Sequence, residues 1–191
     1  MIPEDLHYLF NDLGHHNLEL SRMVLGIWQK WESFKTLMSK DNVHWEYYTE
    51  RTIAPCEIVL DYDEYKCPVC SVLTSELRCS NCTNHINKKV RKELIKKLVK
   101  TRTTQLNKDG MKYKKYFTGS KGFHIHMIFP ELNQYSKFRR QKLKTEIIKK
   151  YGGELIKASG RVMIMREGSK HRKTGLKKVL ISQKLGFNAL K

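Results

Sequence analysis

An α+β fold, with a mixed or antiparallel sheet flanked by helices, is the class this sequence predicts, and three observations predict it. Short apolar runs of strand character recur along the chain, with "CEIVLDYDEY" at 56–65 the clearest. Two lysine-rich stretches, 87–101 and 136–153, repeat apolar residues at helix spacing. No repeat, linker or low-complexity segment separates these elements, so residues 1–191 are expected to form a single domain.

Taken in order, residues 1–40 read as helical. Leu6, Leu9, Phe10 and Leu13, then Leu20, Met23, Val24, Ile27 and Trp31, fall at helix spacing, and "NDLGHHN" breaks the run in two. His15 and His16 lie in that break and are expected at the surface; Trp28, Trp31 and Phe34 are expected in the core. A strand or strand edge is predicted in "HWEYYTERT", a turn at 107–112, and two strands joined by a glycine turn at 113–129. In the second of these strands Phe123, Ile125, Met127 and Phe129 alternate with His124 and His126, placing both imidazoles on one face. The basic helix at 136–153 ends at Gly152-Gly153. Strands at 162–165 and 178–182 enclose the loop "REGSKHRKTG", and the tail from 183 carries no clear signal.

Lys and Arg number 37 against 19 Asp and Glu, a formal charge of +18. That excess exceeds what solubility requires and points to a polyanionic partner. No apolar run reaches the ~18–20 residues that span a bilayer, and the N-terminus lacks the features of a secretory signal, so an intracellular, cytoplasmic protein with no membrane partner is expected. Cys67-x2-Cys70-x8-Cys79-x2-Cys82 has the paired-knuckle spacing of a closed tetrahedral site for one structural Zn²⁺, in an insertion at 64–86. Cys56 stands apart and is expected in the core.

Three constellations carry chemistry. Asp61 and Asp63 sit at i and i+2 on a strand, on one face and about 6–7 Å apart, a spacing that suits hard divalent cations. Thr118-Gly119-Ser120-Lys121-Gly122 offers backbone donors, hydroxyls and an ammonium to a phosphate, although it lacks Walker A spacing. His124 follows two residues on, and His126 is read either as its partner or as a structural histidine beneath the sheet. The segment 166–176 concentrates basic residues, hydroxyls and glycines between two strands.

In that order the three motifs resemble the archaeo-eukaryotic primase superfamily, in particular the catalytic small subunit of replicative DNA primase. "VLDYD" looks like the family's first metal-binding motif, "TGSKGFH" is similar to its second, and "GSKHRKTGL" is similar to its third, over roughly residues 57–182. The resemblance implies a primase-type catalytic core in which Asp61, Asp63 and Glu154 hold two Mg²⁺ or Mn²⁺ ions. It implies that Thr118, Gly119, Ser120, Lys121, Gly122, His124, Arg166, Ser169, His171 and Lys173 bind the nucleotide. Departures are Glu154, one residue off the third-acid offset, a shifted Arg166, and Glu167 where the family has proline. The expected activity is synthesis of short RNA or DNA primers on single-stranded DNA from nucleoside triphosphates, with a helical large subunit as a further partner. The short chain looks like a minimal core of archaeal or mobile-element origin.

Two other readings stay open. His124-Ile125-His126 is also the His-hydrophobic-His pattern of rolling-circle nicking enzymes, with Tyr135 or Tyr151 as nucleophile. The substitutions at 154 and 167 also suit a nucleic-acid-binding module that has lost activity.

Overall fold

A computed structural model describes residues 1–15, 17–24, 27–28, 31–64, 88–120, 122–159 and 162–190, leaving aside the side chains of 23–24, 27–28 and 88–90. The cysteine knuckle (Cys67, Cys70, Cys79 and Cys82) and Lys121 therefore lie outside the described residues.

The strands form two sheets, both antiparallel. Strand β1 (Glu19–Val24) is central to the first, pairing with β2 (Ile27–Trp28), β3 (Glu32–Ser33) and β4 (Tyr48–Thr52), and β4 pairs in turn with β8 (Met163–Met165). The second sheet runs β5 (Glu57–Tyr62), β7 (Phe123–Ile128), β6 (Tyr113–Phe117) and β9 (Val179–Lys184). Four α-helices complete the described chain: α1 (Glu4–His7), α2 (Phe34–Met38), α3 (Lys88–Lys108) and α4 (Lys137–Tyr151). Among the described residues no helix is long and apolar enough to cross a membrane.

Where 18–31 is predicted helical, the chain instead forms the β1 strand and a short β1–β2 pairing. The same residues satisfy both periods, because Leu18 and Leu20 alternate as a strand would and both are buried. Pairing with β4 settles the choice, and Gly26 between the strands weakens a helix. Trp31 is 43 % exposed, while Phe34 is fully buried in a cluster with Leu6, Leu20 and Leu37.

β5 is buried along its whole length, so its two faces meet different neighbours. Ile58, Leu60 and Tyr62 join Ile125 and Met127 of β7 on one face, against Ile95, Val99 and Leu106 of α3 and Ile148 and Tyr151 of α4. Each such side chain contributes roughly 1.5–3 kcal/mol on burial. Helix α4 starts on Ser136, whose hydroxyl accepts from the Arg139 amide. It stops at Gly152 in the left-handed region (φ 77°), where the Gly152 and Gly153 amides close on the Ile148 carbonyl.

The other face of the second sheet meets the first sheet through a small apolar contact, Ile53–Val59–Ile164, and a buried polar layer. Arg51 of β4 grips Glu57 of β5 with both terminal nitrogens, at 2.7 and 2.9 Å. Glu57 also accepts from His126 Nδ1 at 2.6 Å, and His126 Nε2 lies 3.0 Å from Lys178 Nζ, which donates to the Met165 carbonyl. Burial pulls the Lys178 ammonium down to about 7 and holds His126 neutral, well below the usual histidine value. The layer thus contains one firmly paired charge couple, Arg51–Glu57, extended by the neutral His126 and by Lys178.

His15, expected at the surface, is buried instead, with Nε2 2.8 Å from the sulfur of Cys56. Burial lowers the imidazole to about 4 and raises the thiol to about 12, so the pair is neutral and Cys56 is an unreactive core residue.

Candidate active site

The β5/β7 ladder sets Asp61 directly opposite His124, both on the face turned away from the helices. His124 Nε2 lies 3.4 Å from Asp61 Oδ2, with each side chain 8 % exposed. The same carboxylate oxygen lies 3.0 Å from Lys157 Nζ. Burial opposes the charge on Asp61, yet His124 and Lys157 outweigh it and hold the carboxyl well below the usual range. Burial also lowers His124, with Asp61 partly offsetting it. Neither Asp61 Oδ1 nor His124 Nδ1 makes a hydrogen bond among the described residues.

Glu154 approaches from the segment after α4. Burial, then the charges of Asp61 and Asp63, push it up to about 7, and its carboxyl shares a hydrogen bond with Asp63. Its Oε2 lies 4.0 Å from Lys157 Nζ. The three acids expected to act together therefore do converge, and a lysine reaches between them. The donor set suits a hard divalent cation, being all carboxylate with a buried unsatisfied oxygen on Asp61. As they stand, no three His, Cys, Asp or Glu side chains among the described residues are close enough to enclose an ion.

The glycine turn closes on itself, with the Thr118 amide and hydroxyl both donating to the Gly122 carbonyl at 3.1 Å. Its glycines are required by contacts. A Cβ on Gly122 would fall 2.7 Å from Asp63 Cβ, and one on Gly119, already at φ +80°, would fall 2.4 Å from the Leu176 carbonyl oxygen. The turn is thus pressed between the end of β5 and the 166–178 segment.

That segment folds back on itself like a hairpin. Its bonds run from the Gly168 amide to the Lys178 carbonyl, the Lys178 amide to the Ser169 carbonyl, and the His171 amide to the Leu176 carbonyl, at 2.8–3.0 Å. The Thr174 hydroxyl donates to the Gly119 carbonyl and ties the tip to the glycine turn. Asp61, Asp63, Thr118, His124, Lys157 and His171 line one cavity of about 390 Å³, with Lys170 and Arg172 at its rim. That volume is within the ~300–1,000 Å³ typical of small-molecule sites. Acidic groups (Glu50, Asp61, Asp63) and basic ones (Lys157, Lys170, Arg172) both line it.

Several expected ligands are placed elsewhere. Arg166 is 4 % exposed and turned to the N-terminus, where it pairs with both oxygens of Asp5 (2.8 and 3.1 Å) and donates to the Tyr48 carbonyl. It pins α1 to β4 and does not line the cavity. The Ser169 hydroxyl donates to the carbonyls of Thr49 and Arg166, so it too serves the backbone. Lys173 is exposed at the tip, its amide 3.3 Å from His171 Nδ1. Glu167 accepts from the Tyr116 hydroxyl and faces a second cavity, so its charge is kept from the His171 side.

That second cavity, about 840 Å³, is bordered by Tyr8, Asp12, Lys114, Tyr116 and Phe187 among others. Although larger, it is reached by none of Asp61, Asp63 or His171, so the sequence motifs gather at the smaller cavity. Lys170 and Arg172 belong to the basic segment 166–176 that the sequence singles out, whereas Lys157 is not anticipated; it stands at i+3 from Glu154, a spacing that puts two side chains together on one helical turn.

The chain matches no protein-family model, and no curated protein matches its sequence.

Proposed function

We propose that the chain is a template-dependent nucleotidyltransferase of the primase kind, joining nucleotides from nucleoside triphosphates into short RNA or DNA primers on single-stranded DNA. One observation carries the reading: three motifs far apart in sequence share one cavity, which brings the carboxylates Asp61 and Asp63 together with His124, His171, Lys157, Lys170 and Arg172. A metal–triphosphate complex needs groups of both kinds. Mg²⁺ or Mn²⁺ held by Asp61, Asp63 and Glu154 would supply Lewis-acid charge to the attacking hydroxyl and the departing pyrophosphate.

The chain's own groups have separate tasks. His124 and His171 present imidazole nitrogens to phosphate oxygens, and Lys170 and Arg172 add charge at the mouth. The glycine turn brings backbone donors to the site, Gly122 lying against Asp63 and Gly119 against Leu176 and His171, and Lys121 belongs to the same reading. Lys92, Lys96, Lys97 and Lys100 on α3, and Lys137, Arg139, Lys142, Lys149 and Lys150 on α4, are exposed and suit a nucleic-acid backbone. Zinc at Cys67, Cys70, Cys79 and Cys82, and a helical partner subunit, belong to the same reading.

The nickase alternative needs both histidines of the 124–126 pair free for a metal. His126 engages Glu57 through one ring nitrogen and Lys178 through the other, and Tyr151 is fully buried with its hydroxyl on Asp109. The geometry favours the primase reading.

The test is incorporation of labelled nucleotides on single-stranded DNA with Mn²⁺ or Mg²⁺, without a primer, comparing the natural chain with Asp61→Asn/Asp63→Asn. Primer-independent product lost in the variant is the expected result. Absence of product from a chain that binds DNA, with and without a supplied primer, would overturn it.

A further inference from the structure

The acidic cluster already contains a cation, and it is part of the chain. Lys157 sits on the 3-10 turn Leu155–Ala158, its side chain 12 % exposed, with Nζ 3.0 Å from Asp61 Oδ2 and 4.0 Å from Glu154 Oε2. The turn is anchored on both sides: Ala158 is packed into the core, and Gly153 rests on Leu60 (a Cβ there would lie 3.1 Å from Leu60 Cα). Lys157 is therefore aimed at the carboxylates by its backbone. Three converging acids repel one another, and a single ammonium relieves that repulsion where Asp61 and Glu154 meet. The ammonium holds Oδ2 of the carboxylate whose other oxygen, Oδ1, is left unsatisfied for a divalent ion, and two cations on one carboxylate repel each other strongly.

We infer that Lys157 is a tethered counter-ion for the carboxylate cluster, seated on Asp61 when no divalent ion is bound and expelled from it when one enters. The inference rests on the metal-binding reading of Asp61, Asp63 and Glu154. The lysine's four-carbon stem lets the ammonium swing while the turn stays fixed. Lys157 is then a positioning residue that sets how tightly the acids bind a divalent ion, with the ammonium remaining in the same cavity after it moves.

The experiment is Mn²⁺ titration, followed by the loss of the free-ion electron paramagnetic resonance signal. It compares the natural chain, Lys157→Met, Lys157→Arg and Asp61→Asn/Asp63→Asn, each checked for folding by circular dichroism. Lys157→Met is expected to bind Mn²⁺ about tenfold more tightly, because a repelling unit charge is removed beside the ion. Lys157→Arg is expected to stay near the natural affinity, and the double aspartate variant to lose binding. A folded Lys157→Met with unchanged or weaker affinity, in a series where the natural chain binds and the aspartate variant does not, overturns the inference alone. Absence of Mn²⁺ binding by every protein overturns both the inference and the metal reading. A second measurement needs no variant: acetic anhydride labelling of Lys157, read by peptide mass spectrometry, is expected to rise when Mn²⁺ is added. Labelling that does not rise at saturating Mn²⁺ overturns the inference.

Discussion

Asp61 and His124 face each other across the β5/β7 ladder, with the imidazole Nε2 3.4 Å from the carboxylate. Their approach is fixed by strand register, and a one-residue slip would turn both to the helix side. On the proposed function the two substitutions should separate. Asp61→Asn is expected to remove primer synthesis to below about a thousandth of the natural rate, since it takes away a metal-binding charge. His124→Ala is expected to act mainly on KM for the nucleoside triphosphate, by roughly 10- to 100-fold, the worth of one hydrogen bond to a charged group. Steady-state kinetics on single-stranded DNA checks both.

Two residues along the same strand, His126 belongs to the buried layer between the sheets. Glu57→Gln leaves Arg51 buried without a counter-charge, and a loss of about 3–5 kcal/mol in urea unfolding is expected. His126→Asn is expected to cost less, about 1–3 kcal/mol, with no change in nucleotide KM. A KM shift with unchanged stability would reassign His126 to the site.

Gly122→Ala tests the seam between the glycine turn and β5. The added methyl meets Asp63 Cβ at 2.7 Å, so the turn or the carboxylate must move. A loss of primer synthesis of about 10²-fold is expected with a native-like circular dichroism spectrum, because misplacement of a reacting group by about 1 Å has that cost.

Stability should fall in mild acid. His15 is neutral in the folded protein down to about pH 4, whereas in the unfolded chain it protonates near its ordinary 6.5. Between those values the unfolded chain binds the extra proton, so the His15 contribution is full above pH 6.5 and declines toward 4, against the opposite drift of Glu154, which is raised to about 7. His126, lowered still further, acts in the same direction as His15. The urea midpoint is expected to drop over that window, and His15→Gln to reduce the slope by about one proton.

Neutralising Lys92, Lys96, Lys97 and Lys100 together should weaken single-stranded DNA binding and flatten its dependence on salt. The log–log slope should shrink by up to about 0.7 for each phosphate that the variant leaves to its counter-ions. Fluorescence anisotropy over a salt series checks this.

The second sheet, α3 and α4 were legible in the sequence because each rests on a local signal: the apolar run of β5, the alternation of β7, and lysines opposite apolar residues on the helices. The first sheet was less so. Residues 18–28 fit a helix and a strand equally well, and the choice depends on β4, some thirty residues later. The site divides in the same way. Asp61, Asp63, Thr118 and His124 rest on residue type and spacing, whereas Glu154 and His171 rest on the resemblance; all but Glu154 line one cavity, and Glu154 lies beside Asp63. Arg166 was misassigned because a basic residue beside a motif looks the same whether it faces a phosphate or Asp5, and Asp5 lies 161 residues away. Lys157 was missed because its role depends on where β5 ends relative to a turn nearly a hundred residues on.

Gly153 rests on Leu60, the residue before Asp61, while Glu154 is the next residue after Gly153. The separation of two acids far apart in the chain's order is therefore gauged by the thickness of one glycine against one leucine. Enlarging residue 153 would act as a shim, lifting Glu154 and Lys157 together from Asp61, because the added methyl meets the Leu60 backbone at 3.1 Å, a contact that trimming the Leu60 side chain leaves in place. Position 153 should thus set the spacing of the acidic cluster, although its residue carries no charge and touches no substrate.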